Sequence, residues 1–208
     1  AGGPLYLRRL GKGVPPLQVA GSFQHPEFDA FLQWASGKIS GLATEEIKNL
    51  LPRLRAYKET SLAHKTMKLP GPVGEEDRLN FLPRGNLFGV ADDLAAAFDQ
   101  AAAALATGNT LTLRAPPRVR AVLADLPGGL RSRLRLALDD DVRGYDGILV
   151  AEPKTALEMR RQVAELDGPI VPVIEGPDFD LALLIKERAI SINTAAAGGN
   201  AHLLSLAK

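Results

Sequence analysis

The stretch "LFGVADDLAAAFDQAAAALATGNTLTLR", residues 87–114, decides the fold because it contains one complete strand-helix-strand unit. Leu87 to Ala91 is a short apolar run typical of a buried strand, and Asp92 to Ala106 is rich in helix-favouring residues. Gly108 is a C-terminal helix stop, after which Thr110 to Arg114 is predicted as the next strand. This order predicts a βαβ unit, whose two strands are parallel.

The same alternation continues along the chain. A helix over about Pro116 to Leu126 is followed by a strand around Leu134 to Leu138. A strand at Gly147 to Ala151, a helix at Pro153 to Leu166 and a strand at Pro169 to Ile174 complete the pattern. We therefore predict an α/β fold with a Rossmann-like, doubly wound and mainly parallel sheet.

The segment before this alternation, residues 1–68, is predicted to be helical. Pro26 occupies a first-turn position, and Thr44 is an N-cap with acidic residues after it. Pro52 is expected to kink or split the second of these helices. Because the apolar stripes do not make a convincing core of their own, this helical segment is expected to pack on a neighbour.

Changes in sequence pattern divide the rest of the chain into two further segments. Residues 69–185 are predicted to be the Rossmann-like domain, which begins with a small β-hairpin that has Arg78 to Leu82 as one arm. Residues 186–208 are predicted to be a separate C-terminal tail, in which Ala189 to Asn193 alternates like a strand.

Composition limits the kinds of partner. The net charge is +1, and the basic cluster Arg131 to Arg135 is followed at once by the acidic run Asp139 to Asp141, so no nucleic-acid surface is predicted. The chain has no cysteine, which excludes a thiol nucleophile and favours a reducing compartment, here the cytoplasm. No apolar run reaches the length of a membrane span. The N-terminus has neither a signal-peptide core nor an initiator methionine and is interpreted as internal to a longer protein.

A parallel sheet is a common site for dinucleotide binding. No G-x-G-x-x-G or Walker A motif is present, and Gly85 and Gly89 flank a predicted strand instead of following it. The turn after Gly147 to Ala151 has Glu152 and Pro153, and a carboxylate there is expected to cap the next helix. That carboxylate would repel a pyrophosphate about 4 Å away by ~4 kcal/mol at an effective dielectric of about 20. No cofactor is predicted in this segment.

The sequence contains no motif for a metal site or a serine nucleophile. The histidines, His25, His64 and His202, are far apart in sequence and show no metal-ligand spacing. No G-x-S-x-G elbow is present, and Asp139 to Asp141 lacks the spaced acids of a calcium loop. No catalytic residue and no metal site is predicted.

Three segments resemble one family in order and spacing. These are "AGGPLYLRRL" from Ala1, "LPGPVGEEDRLNFLPRG" from Leu69 and "ERAISINTAAAGGNAHLL" from Glu187. They are similar to the last part of PutA, bacterial proline utilization A, so the resemblance covers essentially the whole chain. It implies a parent with an FAD-dependent proline dehydrogenase and an NAD-dependent aldehyde dehydrogenase that yields glutamate, with channelling between them. It also implies that residues 1–68 lead out of the catalytic dehydrogenase domain.

Within the predicted domain the resemblance is to the aldehyde dehydrogenase superfamily. Ala96 to Leu113 resembles its helix-turn-strand segment, and Gly168 to Gly176 resembles the strand leading to its catalytic glutamate region. The chain departs from that superfamily in lacking the cysteine nucleophile, in Arg114-Ala115-Pro116, and in Val150 to Pro153 at the phosphate-side turn. The resemblance therefore implies a dehydrogenase-like domain without nucleophile or cofactor turn.

The tail has two interpretations, a locally capped end strand or a docking segment. Glycines permit close backbone approach, and asparagine side chains can bond to the backbone of a partner segment. The resemblance favours docking, because in PutA-like proteins this motif seals the interior passage against solvent. The candidate docking residues are Glu187, Arg188, Asn193, Thr194, Gly198, Gly199 and Asn200.

The leading hypothesis is a non-catalytic lid and scaffold that helps to retain the aldehyde intermediate. Its expected partners are the catalytic domains of the parent chain, and FAD and NAD are expected in the parent only. Two alternatives stay open: a nucleotide-sensing module that uses a vestigial cleft, and an oligomerisation module built on the hairpin near Arg78 and the tail, which would make a homo-oligomer.

Overall fold

The computed structural model describes residues 20–21, 26–39, 44–70 and 73–194. The chain divides into two compact units. The larger unit is Phe23–Ala63 with Leu82–Lys186, and the smaller is Ala1–Ser22 with His64–Phe81 and Glu187–Lys208. These units divide the chain at positions different from the three segments predicted above. The division into connection, domain and tail therefore stays a prediction about the parent protein.

The elements of the described residues are as follows. The helices are α1 (Pro26–Lys38), α2 (Thr44–Thr60), α3 (Leu94–Ala106), α4 (Pro117–Leu123) and α5 (Pro153–Ala164). The strands are β1 (Thr66–Leu69), β2 (Glu75–Pro83), β3 (Asn86–Val90), β4 (Thr110–Arg114), β5 (Leu134–Leu136), β6 (Gly147–Val150), β7 (Val173–Glu175) and β8 (Ile185–Asn193). Short 3₁₀ helices cover Gly128–Leu130 and Leu181–Leu184.

The larger unit is built on a five-stranded parallel sheet in the order β5-β4-β3-β6-β7. The first strand of the unit is central, two strands follow on one side, and the chain then crosses to the other side, which is the order of a doubly wound Rossmann-like sheet. Every residue of β6 is buried, as expected for a central parallel strand covered on both faces. The predicted α/β fold is confirmed.

Helix α3 contacts the sheet at Gly89 of β3. A Cβ on Gly89 would lie 2.5 Å from Oε1 of Gln100 and 2.7 Å from Cδ1 of Leu113, so a larger residue at this point of β3 would force both side chains to shift. Gln100 is fully buried, and its Nε2 donates to the Val90 carbonyl at 2.7 Å. Most of the other buried residues of α3 are alanines, whose small side chains let neighbouring elements pack close to the helix.

Helices α1 and α2 contribute to the same hydrophobic core as α3. Phe28 and Phe31 of α1 and Leu50 and Leu54 of α2 are buried in it. The helical segment therefore does pack on a neighbour, as predicted, and the neighbour within this chain is the sheet's first helix. Helix α2 runs from Thr44 to Thr60 with the exposed Pro52 inside it, so Pro52 does not split the helix, and a kink there stays a prediction.

The smaller unit has an antiparallel three-stranded sheet in the order β1-β2-β8. Strands β1 and β2 form the predicted hairpin, with Met67 opposite Leu79. Ala20 and Thr66 exchange backbone hydrogen bonds of 2.8 and 3.0 Å at the outer side of β1. Residues 66–68 were expected to be helical and instead belong to β1, because their backbone groups pair with those of β2.

Candidate functional site

The carboxyl ends of β3 and β6 lie at the switch point of the parallel sheet. Val90 at the end of β3 pairs with Arg114 of β4 on one side and with Val150 of β6 on the other. The chain order reverses between β3 and β6, and ligands of doubly wound sheets bind at such a switch point. Four turns meet there, one after each of β3, β4, β6 and β7.

The turn after β3 places a carboxylate on the N-terminus of α3. Asp93 is extended and its Oδ1 accepts the Ala96 N–H at 2.7 Å. The carbonyl of Asp92 accepts from Nη2 of Arg118 at 3.1 Å. A helix N-terminus attracts anions through its free N–H groups and dipole, and here the chain supplies the anion itself.

The turn after β6 adds a second carboxylate. Glu152 is at the N-cap position of α5, but its side chain makes no capping hydrogen bond. The sequence-based expectation that this carboxylate caps the helix is therefore wrong. The next residue, Pro153, has no N–H to offer to a ligand, and Glu152 is exposed beside it. The turn presents negative charge and few donors.

Two of the arginines at these strand ends are paired with carboxylates, whereas Arg118 donates to a backbone carbonyl. Nη1 of Arg114, at the end of β4, lies 3.2 Å from Oδ1 of Asp140. Arg160 of α5 forms an ion pair with Glu175 at the end of β7. Both arginines therefore have an acidic neighbour close by, which lowers their value as phosphate ligands.

A buried polar network lies where α2 and α3 meet the segment after β7, and sequence reasoning missed it. Nε of Arg53 donates to Oδ1 of Asp99 at 2.8 Å, and the Tyr57 hydroxyl donates to the same oxygen at 3.1 Å. The Tyr57 hydroxyl in turn accepts the Phe179 N–H at 3.0 Å. The signal in the sequence was an acid and an amide in the middle of an otherwise apolar helix, "LAAAFDQAAAALA".

Burial governs the electrostatics of this network. The side chain of Asp99 is only 3% exposed, and burial raises the pKa of its carboxyl, while the hydrogen bonds from Arg53 and Tyr57 hold that rise back. Burial and the neighbouring Asp99 also raise the pKa of the Tyr57 hydroxyl. The arrangement joins three segments of the chain, α2, α3 and the segment after β7.

The described docking candidates all lie on or just beyond β8. Glu187 is partly buried, whereas Arg188, Asn193 and Thr194 are exposed. Strand β8 is an edge of the three-stranded sheet, and the Thr194 N–H donates to the Gly74 carbonyl at 2.8 Å. The structure thus brings these four together on one strand without showing what they bind.

The other candidates can be placed only in part. Gly198, Gly199 and Asn200 lie outside the described residues, as do His25 and His202. His64 has a positive φ of 60° and donates its N–H to the Phe81 carbonyl at 2.7 Å, so it is part of a turn. Among the described residues no group of histidines and acids is arranged to hold a metal ion, and no helix there is long and apolar enough to cross a bilayer.

Comparison with known proteins finds relatives that match nearly the whole of this chain. No protein-family model matches the chain. It is 33% identical over 218 residues to the bifunctional protein PutA of Rhizobium meliloti, and 32% identical over 221 residues to that of Escherichia coli K12. The chain is homologous to a segment of PutA. Each alignment takes in 99% of this chain, which spans only 17% of the length of either PutA relative.

Solved structures agree on the fold. A variant of Bradyrhizobium japonicum PutA matches 74% of this chain and 20% of its own, with a TM-score of 0.57 and 22% identity. Betaine aldehyde dehydrogenase of Staphylococcus aureus, in complex with NAD⁺, matches 73% of this chain and 36% of its own, with a TM-score of 0.54 and 14% identity. The resemblance to PutA and the Rossmann-like, aldehyde-dehydrogenase type of fold, both predicted from sequence, are confirmed.

Proposed function

We propose that this chain is a non-catalytic segment of a PutA-type protein, where it acts as a lid and scaffold for the passage of the aldehyde intermediate. One observation supports this most strongly: the Rossmann-like sheet carries carboxylates at the switch point where a dinucleotide would place its phosphates. Asp93 already fills the N-terminus of α3, and Glu152 extends beside that of α5. Such a sheet supplies shape without the groups that bind a pyrophosphate.

The chemistry of the parent is assigned to its other segments. By resemblance, an FAD-dependent proline dehydrogenase and an NAD-dependent aldehyde dehydrogenase together convert proline to glutamate. Because this chain has no cysteine, it cannot contribute the thiol that attacks the aldehyde. The residues at its carboxyl edge do not fit NAD, since the charges of Asp93 and Glu152 oppose those of the phosphates.

Its partners are proposed to be the catalytic domains of the parent, in the cytoplasm. The docking segment begins on β8 with Glu187 and Arg188 and continues through Asn193 and Thr194 into the following glycines. An exposed edge strand can pair its backbone with a partner segment, and the charged side chains select which one.

Deleting Asn193 to Lys208 from the parent tests the lid. We expect the intermediate to appear in solution during coupled turnover, while each catalytic activity measured separately keeps its rate. A trapping reagent for the aldehyde gives the escaped fraction. The matched control is Glu158→Gln, a change on the exposed side of α5. Retention equal to that of the unchanged parent would show that the tail does not seal the passage.

A nucleotide sensor is the second candidate, and the confirmed Rossmann-like order is the observation that favours it. Calorimetry of the chain with NAD and NADP is expected to show no saturable heat. The double variant Asp93→Asn, Glu152→Gln removes the two opposing charges and keeps a capping oxygen at residue 93. Saturable binding by the unchanged chain, or oxidation of glutamate semialdehyde with NAD by it, would refute the lid proposal.

A further inference from the structure

A groove of about 740 Å³ lies at the amino ends of the strands of the five-stranded sheet, opposite the carboxyl ends described above. We call it the amino-edge groove, because it is formed by the segments that precede β3, β6 and β7 and by the start of β8. Its volume is within the range of ligand-binding clefts. The residues that line it include Arg84, Tyr145, Asp146, Glu165, Asp167, Ile170 and Lys186.

Arg84 is the cation of this groove that forms no ion pair with the described residues, although the nearby Asp146 carboxylate acts to raise the pKa of its guanidinium while burial lowers it more. Its Nε donates to the Leu183 carbonyl, and its guanidinium makes no other hydrogen bond or ion pair with the described residues. Asp146 is nearby but committed elsewhere: Oδ1 accepts from Nζ of Lys186 at 3.0 Å, and Oδ2 accepts the Asn86 N–H at 2.9 Å. The Nη donors of Arg84 are therefore available in a partly desolvated position, which suits a carboxylate.

Uncompensated negative charge lies elsewhere in the groove. Glu165 and Asp167, in the segment that connects α5 to β7, are exposed and form no ion pair with the described residues. The sheet order puts them on the β7 side of β6 and Arg84 on the β3 side. A ligand that is complementary to the whole groove therefore has a negative group for Arg84 and a positive group for Glu165 and Asp167.

The distance between the two charged parts of the groove indicates the size of the ligand. Strands β3 and β7 are separated by β6, so their amino ends lie roughly 10 Å apart at about 4.8 Å per strand spacing. The two charges of a free α-amino acid are much closer together than that. An extended chain advances about 3.3–3.6 Å per residue, so charges about three residues apart span the distance.

We propose that the amino-edge groove binds an extended polypeptide segment with an acidic residue and, about three positions away, a basic one. The acidic group bonds to Arg84, and the basic group lies by Glu165 and Asp167. Between them, Tyr145 and the almost fully exposed Ile170 provide aromatic and apolar contact. Arginine and tyrosine are residues that dominate the energetics of peptide and protein interfaces. This inference does not depend on the proposed function, which concerns the other edge of the sheet and the tail.

The test uses the peptide acetyl-Asp-Ala-Val-Lys-amide, titrated into the chain while backbone amide shifts are followed by NMR. We expect saturable shifts at Tyr145, Ile170 and Lys186. Arg84→Gln is expected to weaken binding about tenfold, as is the double change Glu165→Lys, Asp167→Lys. The matched controls are Arg135→Gln and Glu158→Lys, both exposed and outside the groove, which are expected to leave the affinity unchanged.

A charge exchange separates recognition from damage to the fold. The Glu165→Lys, Asp167→Lys variant is expected to recover binding when the lysine of the peptide is replaced by aspartate. Because both residues are exposed and unpaired, this variant tests the proposal even if Arg84→Gln does not fold. The proposal would be overturned if the peptide caused no saturable shift, or if free glycine bound as tightly as the peptide. It would also be overturned if the charge exchange did not restore binding.

Discussion

Replacing Asp99 with alanine is expected to lower the free energy of unfolding of the chain by about 3–5 kcal/mol. The side chain of Asp99 is 3% exposed and accepts from both Arg53 and Tyr57. Removing it leaves the Arg53 guanidinium, whose side chain is 20% exposed, with only the exposed Asp178 at 3.7 Å, and leaves the buried Tyr57 hydroxyl without an acceptor. Denaturation by urea measures the change, as a lower midpoint with an unchanged slope.

A matched control separates this effect from the loss of any ion pair. Asp29→Ala removes the carboxylate that pairs with Lys58, and there the side chains are 53% and 40% exposed. Exposed pairs contribute about 0–1 kcal/mol, so the control is expected to remain close to the unchanged chain. If Asp99→Ala destabilised no more than Asp29→Ala, the network would not hold α2 and α3 together as argued.

The same network gives a pH dependence with a definite sign. Burial raises the pKa of Asp99 in the folded state, so ionisation of this carboxyl opposes folding above the folded pKa. As pH falls from above the folded pKa towards the unfolded one, the folded state gains its proton first. The unchanged chain is therefore expected to gain stability relative to Asp99→Asn, which does not titrate. If the unchanged chain instead lost stability relative to Asp99→Asn as the pH falls, the effect of Arg53 on the pKa of Asp99 would outweigh that of burial.

The sheet could be predicted because its signals are local. The run from Leu87 to Arg114 contains its own strand, helix, stop and strand, and parallel pairing follows from the connection. Gly89 belongs to the same signal, although the reason for it, the approach of Gln100, needs the helix in place. What the sequence does not give locally is where an element ends.

The errors at element ends have separate causes. Strand β7 begins at Val173 instead of Pro169, because Pro169 and Pro172 cannot donate to a ladder. Helix α2 continues past Pro52, because Leu50, Leu54 and Tyr57 are buried in the core on either side of it, and this packing outweighs one missing hydrogen bond.

The candidate sites were less predictable than the fold. The acidic carboxyl edge was anticipated through Glu152, but Asp93 proved to be the carboxylate that caps a helix. The pairing of Arg114 with Asp140 and the groove around Arg84 join residues that only the strand order brings together. Charge in a sequence shows that a group exists, whereas its partner depends on topology.

Replacing Phe98 with alanine is the second change with a large expected effect, a loss of about 3–5 kcal/mol. Phe98 is fully buried, and its ring lies 5.8 Å from that of Phe31 and 5.6 Å from that of Trp34, edge to face in both cases. The truncation removes aromatic contacts and leaves a cavity between α1 and α3. Phe98→Leu refills part of that volume and is expected to cost less, while Leu157→Ala, half exposed on α5, is expected to change stability by only about 0.5 kcal/mol.

The chain's single tryptophan makes this prediction specific to α1. Trp34 lies on α1 against Phe98, so its fluorescence reports on the packing of that helix, while circular dichroism reports on helix content throughout. If α1 belongs to the core of the sheet, both signals are expected to change at the same urea concentration, and Phe98→Ala should move both transitions together. If the fluorescence transition came first and alone responded to Phe98→Ala, α1 would be a separately unfolding segment. The interpretation of residues 1–68 as a connection from a preceding domain would then be favoured over membership of this core.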